Sequence, residues 1–154
     1  MSGNAPEIVL PQLPHARVAI ISSSWHLDIC NDLVAGAQRA LKAASMSNVE
    51  VIYVPGSFEI PLAAQLAFEK GFSAVVAVGL VLKGETPHFD YVCQGVTQGV
   101  MDISLKFSSP IGFGVLMCNT LDQAIARSGR PGSGEDKGYD SAVAAIKLLQ
   151  LKEG

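Results

Sequence analysis

The chain has 154 residues, with 11 Lys+Arg against 14 Asp+Glu and a net charge of −3. Nothing in that balance suggests a nucleic-acid groove or a membrane-binding face. Charged residues make up 16% and apolar ones 49%, against about 25% charged in an average soluble domain. The deficit points to surface buried between subunits, although an unusually buried sheet would lower the charge too.

Three cysteines, Cys30, Cys93 and Cys118, form no CxxC pair. Their odd number fits a reducing cytoplasm better than a disulfide framework, and they read as small core residues. His15, His26 and His88 are unrelated in spacing, so no metal-ligand pattern is present. The longest apolar run, around 74–82, is far too short to span a bilayer.

In chain order, residues 1–16, MSGNAPEIVLPQLPHA, lack a signal peptide's basic start and continuous apolar core. Pro6, Pro11 and Pro14 mark an extended arm, in which Ile8, Val9 and Leu10 can add to a sheet edge, a neighbouring subunit's if the protein assembles. Residues 17–154 read as one α/β domain. RVAIIS (17–22), VEVIYV (49–54), AVVAVGLVL (74–82) and IGFGVLM (111–117) are nearly continuous apolar runs, the pattern of strands covered on both faces in a parallel sheet.

Helices separate them. The first carries a stripe of Leu27, Cys30, Leu33, Val34, Ala37, Leu41 and Ala44, with Asp28, Asp32, Arg39 and Lys42 facing away. The second, about 58–70, stops at Gly71, a C′ glycine. The third, 88–107, has Val92, Val96, Val100, Ile103 and Phe107 along one side, and its Gly95 and Gly99 predict a close backbone contact. The fourth opens with the capping-box pair Thr120 and Gln123, and the fifth runs from about 137 to 151. This alternation predicts right-handed βαβ crossovers and an α/β sandwich. The Gly/Pro-rich stretch SGRPGSGEDKG (128–138) reads as a flexible connector between the last two helices.

In an open parallel sheet, ligands bind beyond the carboxyl ends of the strands. Those ends are SSSWH (22–26), PGSFE (55–59), LKGETPH (82–88) and MCNT (117–120), and the first three converge on one rim. Trp25 is either a core cap or a platform for a flat heterocycle. Ser57 is expected at a helix N-cap with Glu59 in the first turn, where the carboxylate serves the helix dipole or accepts from ligand hydroxyls. In KGETPH, Gly84 permits close approach, Thr86 caps, Pro87 suits the first helical position, and His88 follows in the first turn. Free N–H groups at such a terminus bind phosphate. His88 itself is a surface histidine or a proton carrier, and Arg127 and Lys137 bound the connector as surface or site cations.

Taken together, SSSWH, VPGSFEIP, GLVLKGETPHFDYVCQGVTQGV, NTLDQAIARSG and DKGYDSAVAAIKL resemble the lumazine synthase family over nearly the whole chain. GSFEIP and GxTPHFDYV are each distinctive. The resemblance implies a flavodoxin-like three-layer sandwich with a four-stranded parallel sheet flanked by helices. It further implies condensation of 5-amino-6-(D-ribitylamino)uracil with 3,4-dihydroxy-2-butanone 4-phosphate to 6,7-dimethyl-8-ribityllumazine, phosphate and water, the penultimate step of riboflavin biosynthesis. No metal or organic cofactor is implied.

By the same resemblance, Trp25 stacks on the pyrimidine, Ser57, Phe58 and Glu59 hold the ribityl chain and ring edge, and Leu80, Val81 and Leu82 contact the uracil through their backbone. Gly84, Glu85 and Thr86 form the phosphate loop with Arg127, and His88 transfers protons. Phe113 and Lys137 enter the pocket from a neighbouring subunit. Lys83 stands where many relatives have Arg, which removes a bidentate fork. The connector from Arg127 to Lys137 looks longer than in members that build sixty-subunit shells, so a free homopentamer is favoured over an icosahedral 60-mer. The alternatives are a flavodoxin-like flavin-binding module, against which the glycine-free Ser22, Ser23, Ser24 loop argues, and a shell protein without catalysis.

Overall fold

In the computed structural model, which describes residues 3–154, four strands form one parallel sheet: β1 (Arg17–Ser22), β2 (Asn48–Tyr53), β3 (Ala74–Leu82) and β4 (Ile111–Cys118). Met1 and Ser2 of the arm lie outside the described residues. The strand order is β2-β1-β3-β4. Helices α1 (Leu27–Ala43), α2 (Ile60–Glu69), α3 (His88–Phe107), α4 (Leu121–Arg127) and α5 (Lys137–Glu153) connect or follow them. A 3-10 turn, Ser57–Glu59, leads into α2.

The two central strands explain their own sequences. Val18, Ile20, Val76 and Val78 point into a core shared with α1 and α5. Ala19, Ile21, Val75 and Ala77 point into a second core under α2 and α3. With both faces covered, apolar side chains fill both, hence the nearly continuous apolar runs; the one buried polar side chain in them, Ser22, donates to the Ser23 carbonyl at 2.8 Å. This is the expected three-layer α/β arrangement. β2 differs from the expectation of coverage on both faces. It is one of the two edge strands, and Asn48, Glu50 and Tyr53 along it are exposed.

Local signals hold at most helix ends. Gly71 has φ +91°, and the Phe72 N–H reaches the Ala67 carbonyl at 3.1 Å while the Gly71 N–H reaches Phe68 at 3.0 Å, a Schellman ending. Thr120 Oγ1 accepts from the Gln123 N–H at 3.3 Å, and Gln123 Oε1 accepts the Thr120 N–H at 3.2 Å. Gly95 and Gly99 do mark a close approach: a Cβ on them would lie 2.6 Å from Phe58 Cε1 and 2.7 Å from Pro61 Cγ. The α1 stripe is buried except for Leu27, which is 47% exposed at the first helical position, on the rim of the sheet.

The connector is not the flexible segment its composition suggests. Ser128 bridges Asp136 in antiparallel fashion, the Gly129 N–H donates to the Glu135 carbonyl (3.1 Å), and the Glu135 N–H donates to Ala126 (3.0 Å). Arg130 Nε donates to Asp32 at 2.8 Å, Arg39 pairs with Asp136, and Asp136 caps α5 through the Tyr139 N–H at 3.1 Å. In the arm, the Leu13 N–H donates to Ala44 (3.0 Å), and Ile8 and Leu10 rest partly on the core. Val9 is 92% exposed, and the described part of the arm adds no strand to this chain's sheet. No helix among the described residues is long and apolar enough to cross a membrane.

α1 and α5 touch through glycines. A Cβ on Gly138 would lie 2.7 Å from the Leu33 carbonyl carbon, a backbone atom that cannot swing aside. Gly138→Ala is therefore expected to destabilise the protein by about 1–3 kcal/mol. A urea midpoint that does not move, at matched protein concentration, contradicts that contact.

Candidate active site

β1 pairs with β3 only as far as Ser22 opposite Val78, whereas β3 stays paired with β4 to Leu82 opposite Cys118. The chain then leaves β1 through Ser23 and turns into α1. One backbone edge of β3 beyond Gly79 is thus left without a strand partner, at the point where connections depart in opposite directions. A cavity of about 680 Å³ opens there. Its wall is made by Trp25 and His26 after β1, Gly56, Ser57, Phe58 and Glu59 after β2, Leu80 to Lys83 of β3, and His88, Tyr91 and Val92 of α3.

Each wall is held by local chemistry. Ser24 Oγ donates to the Val54 carbonyl at 2.8 Å, tying the loop after β1 to the end of β2. Ser23 Oγ faces the Leu80 N–H at 3.4 Å. A Cβ on Gly79 would collide with Ser23 Oγ and lie 3.0 Å from Ser57 Oγ, so glycine is required for both loops to close over β3. Trp25 is 68% exposed, with its indole edge over Gly56. His26 takes a left-handed conformation, φ 53°, to turn the chain into α1.

The segment after β2 corrects one expectation. The N-cap is Gly56, not Ser57, and the Glu59 carboxylate takes the Gly56 N–H through Oε2 at 3.1 Å. Ser57 sits one position later, buried, and its hydroxyl has no partner among the described residues. At α3 the expectation also shifts by one residue: the N-cap is Pro87 (φ −63°), not Thr86, because the Pro87 carbonyl accepts the first helical bonds from Asp90 and Tyr91, while Thr86 Oγ1, just before the helix, accepts the His88 N–H at 3.4 Å. His88 is exposed, and Tyr91 and Val92 follow it on the same helical face at i+3 and i+4.

The structure brings together Trp25, Ser57, Phe58, Glu59, Leu80, Val81, Leu82 and His88. Gly84, Glu85 and Thr86 are exposed just outside the cavity wall, and a Cβ on Gly84 meets nothing within 4 Å. Phe113, midway along β4, is 40% exposed on the sheet face that carries Ile111 and Val115. Arg127, at the end of α4, donates through Nη1 to the Gln123 carbonyl at 2.9 Å. Lys137 opens α5, 3.3 Å from Glu135 and 3.7 Å from Asp140. None of these last three lines the cavity of its own chain.

His26, Gly56, Tyr91 and Val92 line the cavity without having been singled out for it in the sequence. The spacing of His88, Tyr91 and Val92 is the signal that was available for two of them. Burial pushes the thiols of Cys30, Cys93 and Cys118 up, which keeps them protonated and poor nucleophiles. Among the described residues no group of three or more His, Cys, Asp or Glu is placed to hold a metal ion.

An open parallel sheet with an aromatic-rimmed cavity at its switch point and a helix start at the lip defines an α/β small-molecule-binding protein. The sequence profile of 6,7-dimethyl-8-ribityllumazine synthase matches residues 15–153. Proteins of that name from Streptomyces coelicolor, an Arthrobacter species and a Mycobacterium species are similar to this chain. The first is 48% identical, covering 95% of this chain and 91% of the relative. The second is 49% identical over 95% and 94%, and the third 45% over 100% and 97%. The chain belongs to the 6,7-dimethyl-8-ribityllumazine synthase family. The family is one of transferases in riboflavin biosynthesis, so a flavin-carrying module and a shell protein without catalysis are not favoured.

Because the Ser57 hydroxyl is buried without a protein partner, removing it relieves an uncompensated desolvation. Ser57→Ala is expected to leave stability unchanged or to raise it by up to about 1 kcal/mol. A clear loss in chemical denaturation contradicts the unpartnered hydroxyl.

Proposed function

We propose that the protein condenses 5-amino-6-(D-ribitylamino)uracil with 3,4-dihydroxy-2-butanone 4-phosphate to 6,7-dimethyl-8-ribityllumazine. The observation that carries this reading is the cavity itself. It sets Trp25, Glu59, the free edge of β3 and His88 around one space, in a chain matched from 15 to 153 by the family profile.

In this reading the pyrimidine stacks on Trp25 and its edge meets the backbone of Leu80, Val81 and Leu82. The ribityl hydroxyls reach Ser57 and the free oxygen of Glu59, beside Phe58. The phosphate docks on the N–H groups of Gly84, Glu85 and Thr86 and is neutralised by Arg127. The aryl amine attacks the ketone, and loss of water gives a Schiff base. Inorganic phosphate then departs, and ring closure releases a second water. His88 moves the protons these steps require, and holding both substrates in one site removes much of the entropic barrier.

Residues 17–154 are read as one domain, and residues 1–16 as an arm that adds to a neighbour's sheet. α3 buries only Val96 and Val100, leaving Tyr91, Met101 and Leu105 exposed, a surface that supports assembly with further copies. Assembly also accounts for Phe113 and Lys137, which serve a neighbour's cavity rather than their own. The length of the connector favours a free pentamer over a 60-mer, and the three free thiols favour the cytoplasm.

His88→Ala is expected to slow lumazine formation by about ten- to a thousandfold while sparing substrate binding. Undiminished turnover in a steady-state absorbance assay removes His88 from the mechanism. Light scattering is expected to give about five times the 16.2 kDa chain mass. A monomer overturns the shared site.

A further inference from the structure

Glu135 stands between two cations that the proposed reaction uses. Its Oε2 lies 3.5 Å from Arg127 Nε and its Oε1 lies 3.3 Å from Lys137 Nζ, so each carboxylate oxygen serves one cation. The residue is itself fixed. Its N–H donates to the Ala126 carbonyl at 3.0 Å, and its carbonyl accepts from the Gly129 N–H at 3.1 Å and from Ser133 Oγ at 3.0 Å. Its side chain is about one-quarter exposed, at 26%.

We propose that Glu135 is a positioning residue that orients the Arg127 guanidinium for the phosphate of the butanone substrate. This rests on the proposed phosphate role of Arg127. The guanidinium is a planar fork, and its usefulness to a phosphate depends on which edge it presents. Glu135 takes the Nε side and the Gln123 carbonyl takes Nη1 at 2.9 Å, which leaves the Nη2 end for an anion. The two cations do not depend on Glu135 equally. Lys137 keeps a second carboxylate, Asp140 at 3.7 Å, whereas Arg127 has no other carboxylate partner among the described residues. Neutralising Glu135 therefore leaves Arg127 without a carboxylate partner among the described residues, while Lys137 loses its nearer carboxylate but keeps Asp140.

The test is steady-state kinetics on the full-length assembled protein, with 3,4-dihydroxy-2-butanone 4-phosphate and the ribitylaminouracil varied separately. Glu135→Gln keeps the shape and removes the charge. It is expected to raise KM for the butanone phosphate roughly three- to fivefold, the scale of a partly exposed ion pair. KM for the pyrimidine, kcat, melting temperature and assembly mass are expected to hold. Glu135→Asp, a shorter carboxylate, is expected to fall between wild type and Glu135→Gln, and it serves if the glutamine variant does not fold. In an Arg127→Ala background, Glu135→Gln is expected to add nothing, because its effect passes through Arg127.

An equal rise in KM with and without Arg127, or a rise for both substrates alike, overturns the inference. If Arg127→Ala raises the phosphate KM but Glu135→Gln is silent, the inference fails alone. If Arg127→Ala leaves that KM unaltered, the reading of Arg127 fails and takes the inference with it.

Discussion

The site depends on an offset in strand pairing. β1 releases β3 at Val78, four residues before β4 does so at Leu82. Backbone groups freed in this way are strong hydrogen-bonding partners that do not rotate, fixed by the same strand that forms the centre of the core. Gly79 marks the point of release, where the two serines Ser23 and Ser57 come in over a residue with no side chain. A flat ligand with donors and acceptors along one edge can meet a strand edge of this kind as another strand would. The aromatic residues at the rim then supply the faces.

The second element of the design is the packing of α3 against the segment that enters α2. Gly95 and Gly99 let the helix press on Phe58 and Pro61, and Val96 and Val100 are buried beside them. That contact carries the start of α3 toward the free edge of β3 and brings His88 to the lip of the cavity. The glycines weaken the helix in isolation, and the close contact they permit compensates. Phe58 consequently borders both the main cavity and a shallower groove on the outer side of α3 with Gln94, Thr97 and Met117.

Much of this was legible in the residue order because the determining interactions are local or periodic. The bounds of β1, β3 and α3, the Gly71 ending and the Thr120 cap follow from patterns within a few residues. GSFEIP and KGETPH are likewise linear, and both reached the cavity region. What was not legible depends on distant partners. The rigidity of the connector comes from Arg130 meeting Asp32, 98 positions away, a pairing that no local composition announces. The left-handed backbone at His26 and the exposure of Asn48, Glu50 and Tyr53 along β2 depend on how distant elements pack, which no local pattern announces. The shift of the N-cap from Ser57 to Gly56 is a one-residue difference that only the Glu59 hydrogen bond decides.

The connector between α4 and α5 has one further property. Its two ends are clamped, yet Pro131, Gly132 and Gly134 at its tip are exposed, and a methyl group on either glycine would touch nothing within 4 Å. Stiff shoulders around an unencumbered apex suit the grafting of foreign peptide: added residues project into solvent while Ser128 and Asp136 keep their register. The apex is thus a ready attachment point for epitopes or tags that leaves the cavity-lining loops untouched.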